Sequence, residues 1–108
     1  MAESVSSLAE KEHLELSDFE HLVNEKFTIS LEGVDSAIEA ELIQAKYIKS
    51  DTNIDREPFC LDFKLPAGSQ LAQHTYQVYN ETIGAALAIF LVPYQQDDEG
   101  WYMTAQFS

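Results

Sequence analysis

The sequence has few basic residues. Its 108 residues include 6 Lys and Arg against 19 Asp and Glu, so the formal net charge is −13. Nucleic acids and anionic membrane surfaces attract basic protein surfaces, so both are disfavoured as partners. Cysteine is also scarce: Cys60 is the only one, which excludes an intrachain disulfide and is typical of a reducing compartment.

Long hydrophobic runs are missing as well. The longest apolar run, Ala85–Pro93, is far shorter than the roughly 20 residues that cross a bilayer. The N-terminus lacks a basic start followed by an apolar stretch, so we predict no secretory signal. We expect a cytoplasmic protein, which would enter a larger assembly by association rather than by export.

The chain has the length of one domain. Residues 1–25 hold seven acidic residues and one basic residue, whereas residues 76–108 hold four acidic residues and no Lys or Arg. Because the first residues are polar and small, we predict a flexible acidic arm over 1–13 and a single β domain over 14–108.

Helical patterning is confined to one short segment. Ser17 and Glu20 match a capping box, and Phe19, Leu22 and Val23 fall on one helical face, which predicts a short helix at about 17–25. We expect Phe19 to have a structural role by packing this helix on the sheet. Truncation of a buried phenylalanine of that kind is costly.

After Lys26 the apolar residues recur at every second position, which is typical of strands. Six segments show this pattern, with a bulge predicted near Leu42 and Ile43, where the alternation changes phase. Residues 85–92 are apolar at every position and predict a central strand that ends at Pro93. No crossover helix fits between the strands, so we predict an antiparallel sheet that closes as a small barrel or a sandwich.

No motif assembles a catalytic, cofactor or metal site. The segment Asp51–Asp55 resembles the start of a calcium loop, but Arg56 stands where glycine should allow the sharp turn. Cys60 lacks a neighbouring base, and the three histidines lack metal-ligand spacing. We therefore predict a protein that is not an enzyme and needs no metal. Arg56 is assigned a structural role, because a guanidinium can clamp nearby carboxylates.

Amphipathic aromatic residues are concentrated in the second half of the chain, where charge is sparse. They are suited to contacts with protein or sugar. Tyr76 and Trp101 also fit a core position, whereas the other three fall on polar positions of their strands. The candidate contact surface consists of Tyr76, Tyr79, Tyr94, Trp101 and Tyr102.

The order of short motifs resembles a known family. The motifs are Arg56-Glu57-Pro58-Phe59, Phe90-Leu91-Val92-Pro93 and the closing segment 102–107, and the resemblance covers about Leu14 to Ser108. The family is a small bacterial one, known only as a domain of unknown function. Its members are often encoded beside phage-like tail-collar or tail-fibre proteins, which implies an accessory or structural role in such assemblies.

Two functions remain open from the sequence. The first is a non-enzymatic structural or assembly module that docks a sheet edge or an aromatic face onto a collar-like or fibre-like partner, or onto copies of itself. The alternative is a β domain that binds a small ligand or glycan through Tyr79, Tyr94, Tyr102 and nearby carboxylates.

Overall fold

The computed structural model of the chain describes residues 14–31, 36–48 and 58–107. These residues form two 3₁₀ turns, Leu16–Asp18 and Glu20–Leu22, followed by six strands. The strands are β1 (Lys26–Ser30), β2 (Ala37–Tyr47), β3 (Phe59–Leu65), β4 (His74–Asn80), β5 (Ala85–Gln96) and β6 (Trp101–Phe107). The predicted arm over 1–13, the Asp51–Asp55 loop and Arg56 lie outside the described residues.

The strands close into a barrel in the order β1-β2-β3-β6-β5-β4, and every pair is antiparallel. The final contact joins β4 to β1, where Ile29 lies opposite Val78. The predicted mostly β fold is therefore confirmed, and of the two predicted closures it is the barrel that forms. Each of these strands has two neighbours, although β5 pairs with β6 only over residues 92–96 and β4 pairs with β1 only over residues 77–79.

Alternation along the strands explains which side chains fill the barrel. Phe59, Leu61, Phe63 and Leu65 of β3 all point inward and are at most 2% exposed. The predicted irregularity in β2 is confirmed, because its register with β3 shifts between Leu42 and Gln44. This bulge changes the inward parity within β2 and keeps the core continuous.

Strand β5 differs from its prediction in two respects. It continues to Gln96, because Pro93 lies where the register with β6 shifts and its missing N–H is tolerated at such an irregularity. It is also buried on one face only: Leu87 and Leu91 point into the barrel, whereas Phe90 is 51% exposed. A strand in a single-layered barrel has one inner face, so apolar residues on the other face meet solvent.

The N-terminal segment is helical, but it forms two 3₁₀ turns that end at Leu22 and not one helix to residue 25. The predicted Ser17 cap is wrong, because the backbone N–H of Glu15 donates to Asp18 Oδ2 at 2.8 Å. Phe19 is fully buried, with its ring centroid 6.1 Å from Phe59 and 6.0 Å from Phe107. The turns therefore pack on the seam between β3 and β6.

Candidate interaction surface

Charge divides the barrel into two halves. Strands β4, β5 and β6 are adjacent in the barrel and contain no Asp, Glu, Lys or Arg. Strands β1, β2 and β3 are also adjacent and carry Lys26, Glu39, Glu41, Lys46, Asp62 and Lys64. We call the first three strands the uncharged half and the second three the charged half. In a chain with a net charge of −13, three neighbouring strands without a charged residue are a marked departure.

The outer side of the uncharged half carries exposed aromatic residues. Phe90 is 51%, Tyr94 48% and Tyr79 41% exposed. We call this outer side of β4, β5 and β6 the uncharged face. Its outward positions are Thr75, Gln77, Tyr79, Ala86, Ala88, Phe90, Val92, Tyr94, Gln95, Tyr102, Thr104 and Gln106.

The register across β4 and β5 places large side chains beside small ones on this face. Tyr79 lies opposite Ala86, Gln77 opposite Ala88 and Thr75 opposite Phe90. The two alanine side chains are therefore shorter than those of Tyr79 and Phe90 beside them.

At the other end of β5, Tyr94 and Tyr102 form an aromatic pair with ring centroids 6.2 Å apart. The Tyr102 hydroxyl donates to Asp97 Oδ1 at 3.4 Å. Burial, followed by the nearby Asp62 carboxylate, raises the pKa of Tyr94, and burial with Asp97 raises the pKa of Tyr102. Both phenols therefore stay protonated at neutral pH and remain available as hydrogen-bond donors.

The other two predicted contact residues lie elsewhere. Tyr76 is 5% exposed, and its hydroxyl donates to the Ala72 carbonyl at 2.6 Å. Trp101 is half-buried against the core, and its indole N–H is enclosed without a hydrogen-bond partner. Neither ring adds substantially to the uncharged face, because both point toward the barrel interior.

Phe90 is an exposed aromatic residue of the uncharged face that the sequence did not predict, and Tyr47 on β2 is a second exposed aromatic residue of this kind. Phe90 lies on β5. Its strand was interpreted as buried on both faces, which assigned every apolar side chain of β5 to the core. A signal was nevertheless present, because Leu87, Ile89 and Leu91 share one parity while the alanines occupy the other. The larger aliphatic residues mark the inner face.

Cys60 lies on the outward parity of β3 but is 7% exposed. Burial, with the neighbouring Asp62 carboxylate as a further cause, raises the pKa of its thiol. A nucleophilic cysteine needs the opposite change, since the thiolate is the reactive form. The protonated thiol therefore behaves as a small apolar group at this position.

A polar groove of about 500 Å³ lies where the uncharged half meets β1. Tyr79 and Glu81 contribute to its lining, together with Glu39, which pairs with Lys26 at 3.7 Å. Glu25 Oε1 accepts hydrogen bonds from Asn80 Nδ2 at 3.2 Å and from the Thr82 hydroxyl at 2.9 Å. These bonds hold one carboxylate in place beside an exposed aromatic ring.

Asn80 links this groove to the barrel frame. It is 2% exposed, donates to the Lys26 carbonyl at 3.0 Å and accepts from the Ile83 N–H at 2.9 Å. The residue therefore connects β1, β4 and the turn that leads into β5. Burial of an amide is tolerated here because its donors and its acceptor are used.

The acidic hairpin between β5 and β6 is held by hydrogen bonds from one of its own side chains to its backbone. Asp97 Oδ1 accepts hydrogen bonds from the backbone N–H groups of Glu99 and Gly100, at 2.9 and 3.0 Å.

Within residues 14–31, 36–48 and 58–107, no three His, Cys, Asp or Glu side chains are grouped so that they would hold a metal ion. The same residues contain no helix with the length and apolar character needed to cross a membrane.

Comparison with protein families assigns the whole β domain to one family. Residues 14–107 match the family described as Domain of unknown function (DUF6916), and the chain belongs to this family. Comparisons with curated proteins and with solved structures found no match. No activity is known for this family, so the family assignment does not indicate what the protein does.

Proposed function

We propose that this protein is a non-enzymatic assembly module that acts by contact, with the uncharged face as its docking surface. The observation that carries the proposal is the absence of Asp, Glu, Lys and Arg from three adjacent strands of an acidic chain. If this part of the barrel contacted only water, we would expect charged residues at some of its outward positions.

The composition of the uncharged face supports this proposal. Cores of protein interfaces are depleted in charged residues and enriched in Tyr, Trp and Phe. Phe90, Tyr94 and Tyr79 are the large exposed aromatic residues on this face. Folding does not require them there, because the inward residues of the same strands already fill the core. Large exposed apolar patches of this kind mark interaction sites.

The partner that we propose is a collar-like or fibre-like protein of a phage-tail-like assembly. The resemblance noted from the sequence motifs supports this choice, since it implies an accessory or structural role beside such proteins. The tyrosine pair at the end of β5 offers both ring surface and phenol donors to such a partner.

The test introduces one charge on each half of the barrel. Ala88→Glu places a carboxylate in the middle of the uncharged face, and Ala37→Glu places one at an exposed position of β2 in the charged half. We expect the wild type and Ala37→Glu to bind the neighbouring collar-like or fibre-like protein in size-exclusion and calorimetric measurements. Ala88→Glu should weaken that binding by at least about tenfold, because the new charge would be buried unpaired.

Thermal unfolding of both variants controls for folding. If the wild type leaves the partner unbound, or if both variants bind as the wild type does, the uncharged face is not the docking surface for that protein.

The groove beside Tyr79 favours a second candidate function, the binding of a small ligand or glycan. An aromatic ring next to a fixed carboxylate is suited to a sugar. The sugar ring stacks on the aromatic ring, and its hydroxyl groups donate hydrogen bonds to the carboxylate. Ligand-observed NMR with a panel of oligosaccharides tests this function. Binding that is lost in Tyr79→Ala and unchanged in Ala88→Glu would favour it over assembly.

A further inference from the structure

We propose that the polar groove beside Tyr79 binds a sugar that carries a free ammonium group. This inference rests on the second candidate function given above, the binding of a glycan in this groove, and it names the chemical class of that glycan. It is independent of docking through the uncharged face, because Ala88 and Phe90 do not line the groove.

A buried amide holds the groove together at the end that carries the exposed ring. Asn80 is buried in the chain between Tyr79 and Glu81, which are both exposed. Its amide nitrogen donates to the Lys26 carbonyl at 3.0 Å and to Glu25 Oε1 at 3.2 Å. These two bonds tie the segment before β1 to the end of β4. An aromatic ring and two carboxylates therefore line the same groove.

The charge of the Glu25 carboxylate is not balanced by a cation of the chain. Its Oε1 atom accepts hydrogen bonds from two neutral groups, the amide of Asn80 and the hydroxyl of Thr82. Its Oε2 atom accepts no hydrogen bond, and the carboxylate forms no ion pair, within residues 14–31, 36–48 and 58–107. Neutral donors fix this carboxylate without neutralising it, so Oε2 is an open acceptor for a positively charged donor.

The charges that line the groove also favour a cation. Glu25, Glu39 and Glu81 contribute three carboxylates, whereas Lys26 contributes the one ammonium group. Lys26 pairs with Glu39 at 3.7 Å, and Glu81 has no ion pair in the described part of the chain. A neutral ligand would cover the two remaining carboxylates without compensating them, which is costly. An ammonium group supplies the missing charge and three donors.

The donor set indicates an organic cation. In the part of the chain that the structure describes, no three acidic, histidine or cysteine side chains are grouped so that they would hold a metal ion. An ammonium group needs fewer ligands than a metal ion, because one or two carboxylate oxygens and neutral acceptors satisfy its three N–H groups.

The aromatic ring and the size of the groove favour a sugar as the carrier of this group. Tyr79 is 41% exposed, and the C–H face of a sugar ring packs on such a ring. The groove measures about 500 Å³, within the range of about 300–1,000 Å³ that is typical of small-molecule sites. A single lysine side chain would leave most of this volume empty. The polar side chains of Asn24 and Thr28 also line the groove and are suited to sugar hydroxyl groups.

The charge of the whole chain acts in the same direction. A net charge of −13 raises the local concentration of cationic ligands and repels anionic sugars. Salt screens this attraction, so the affinity for an amino sugar should fall as salt rises, whereas the affinity for a neutral sugar should change little.

N-acetylation of one sugar tests the charge of the ligand. The probe is the disaccharide of glucosamine, compared with its fully N-acetylated form, which keeps the sugar skeleton and loses the positive charge. NMR titrations of the backbone amides measure both affinities at low salt and at about 0.5 M salt. We expect the free amine to bind at least about tenfold more tightly at low salt, with a smaller preference at high salt.

Charge-removing variants locate the site. Glu25→Gln removes the charge and keeps an amide oxygen that accepts from Asn80 and Thr82. It should weaken binding of the free amine by at least about tenfold and change binding of the N-acetylated form by less than about threefold. Glu20→Gln is the matched control, since it removes one carboxylate at an exposed position outside the groove. It should leave both affinities within about threefold of the wild type.

Two further variants strengthen the test. Glu81→Gln removes the second unbalanced carboxylate without touching the bonds of Asn80, so it tests the charge even if Glu25→Gln lowers the melting temperature. It should weaken binding of the free amine by at least about threefold. Lys26→Met removes the positive charge that competes with the ligand, and it should strengthen that binding.

The outcomes separate this inference from the functions proposed above. Equal or tighter binding of the N-acetylated disaccharide keeps the glycan function and overturns the inference. Binding of neither form up to about 10 mM removes both. A preference for the amine that persists in Glu25→Gln and Glu81→Gln overturns the site. Binding of Nα-acetyl-lysine amide as tightly as the amino sugar shows that the ammonium group alone is recognised, and overturns the assignment to a sugar. Docking of the collar-like or fibre-like protein is measured separately through Ala88→Glu.

Discussion

The charged and uncharged halves of the barrel have similar interiors and different exteriors. Inside, each half supplies alternating large side chains, such as Phe63 from β3 and Leu91 from β5, which are both fully buried. Outside, the charged half carries lysines and carboxylates together with Tyr47 at the end of β2, whereas the uncharged half carries Phe90 and three tyrosines and no charged residue. The core therefore places the same demand on both halves, so packing of the interior does not account for the difference between the two exteriors.

Within this domain, the inward residues of the strands determine stability, and the outward residues determine the chemistry of the surface. Burial of the inward residues stabilises the fold, and it is indifferent to the residues on the outer parity. Charge on an exposed strand also protects against unwanted association. The uncharged half lacks this protection, which is the reason why we propose it as a docking surface.

The largest effect is expected where the two halves are joined. Phe19 contacts Phe59 of the charged half and Phe107 of the uncharged half. Phe19→Ala should lower the free energy of unfolding by about 3–5 kcal/mol, because it leaves a cavity at this seam. Urea unfolding measures the loss, with Phe90→Ala as the exposed control, which should change stability by less than about 1 kcal/mol. A loss below about 1 kcal/mol for Phe19→Ala would mean that the turns do not hold the halves together.

A smaller effect is expected at the backbone contact between β3 and the hairpin before β6. A Cβ atom on Gly100 would lie 2.9 Å from the Leu65 carbonyl oxygen, closer than normal contact. Gly100→Ala should therefore cost about 1–3 kcal/mol, since the hairpin must move away from β3.

Gly68 provides the matched glycine control. A Cβ atom there meets nothing within 4 Å, but its φ of +83° is unfavourable for alanine. Gly68→Ala should cost about 1 kcal/mol from backbone strain alone. Equal or reversed losses in thermal unfolding would contradict the close approach at Gly100.

The pH dependence of stability tests the environment of Cys60 on β3. Because burial raises the pKa of the folded thiol, its contribution is fully present below the pKa of the unfolded thiol, about 8.5. It is lost as the pH rises through the higher folded pKa. Urea unfolding between pH 7 and 10 should show a steeper fall for the wild type than for Cys60→Ser, which has no titrating thiol. Parallel curves would show that the thiol is not desolvated.

The smallest effect is expected from the ion pairs of the charged half. Lys26 lies 3.7 Å from Glu39, and both side chains are largely exposed. Lys26→Met should change the free energy of unfolding by less than about 0.5 kcal/mol, because exposed pairs are screened by water and salt. The same change at low and high salt would agree with this. A loss above about 1 kcal/mol would show instead that the outer charges support the fold.

Local patterns predicted most of the strands. The alternation in β1, β3 and β6 requires only that one face be buried, so the strands lie close to where the sequence places them. The bulge in β2 was predicted for the same reason, since a change of phase in the alternation is visible without knowledge of the partner strand. The N-terminal turns were located correctly, but their cap was assigned to Ser17, because the alternative at Glu15 and Asp18 depends on backbone geometry.

The candidate surface was only partly predictable. Tyr79 and Tyr94 fall on polar parities and are exposed, as that position suggests. Phe90 was assigned to the core because a continuous apolar run does not reveal how many layers cover it. Tyr76 and Trp101 were divided between core and surface, and the direction of each ring depends on the barrel curvature around it.

The sequence by itself determined the acidic charge, the period of each strand and the antiparallel pairing, because these follow from composition and from local geometry. Tertiary structure decided three further matters: the closure of β4 on β1, the pairing of β3 with β6, and the exposure of Phe90. These two pairings join strands that are far apart in the chain, so a list of strands does not contain them. The uncharged strands β4, β5 and β6 are neighbours through two consecutive hairpins, and the two long-range pairings only set where the uncharged half meets the charged half.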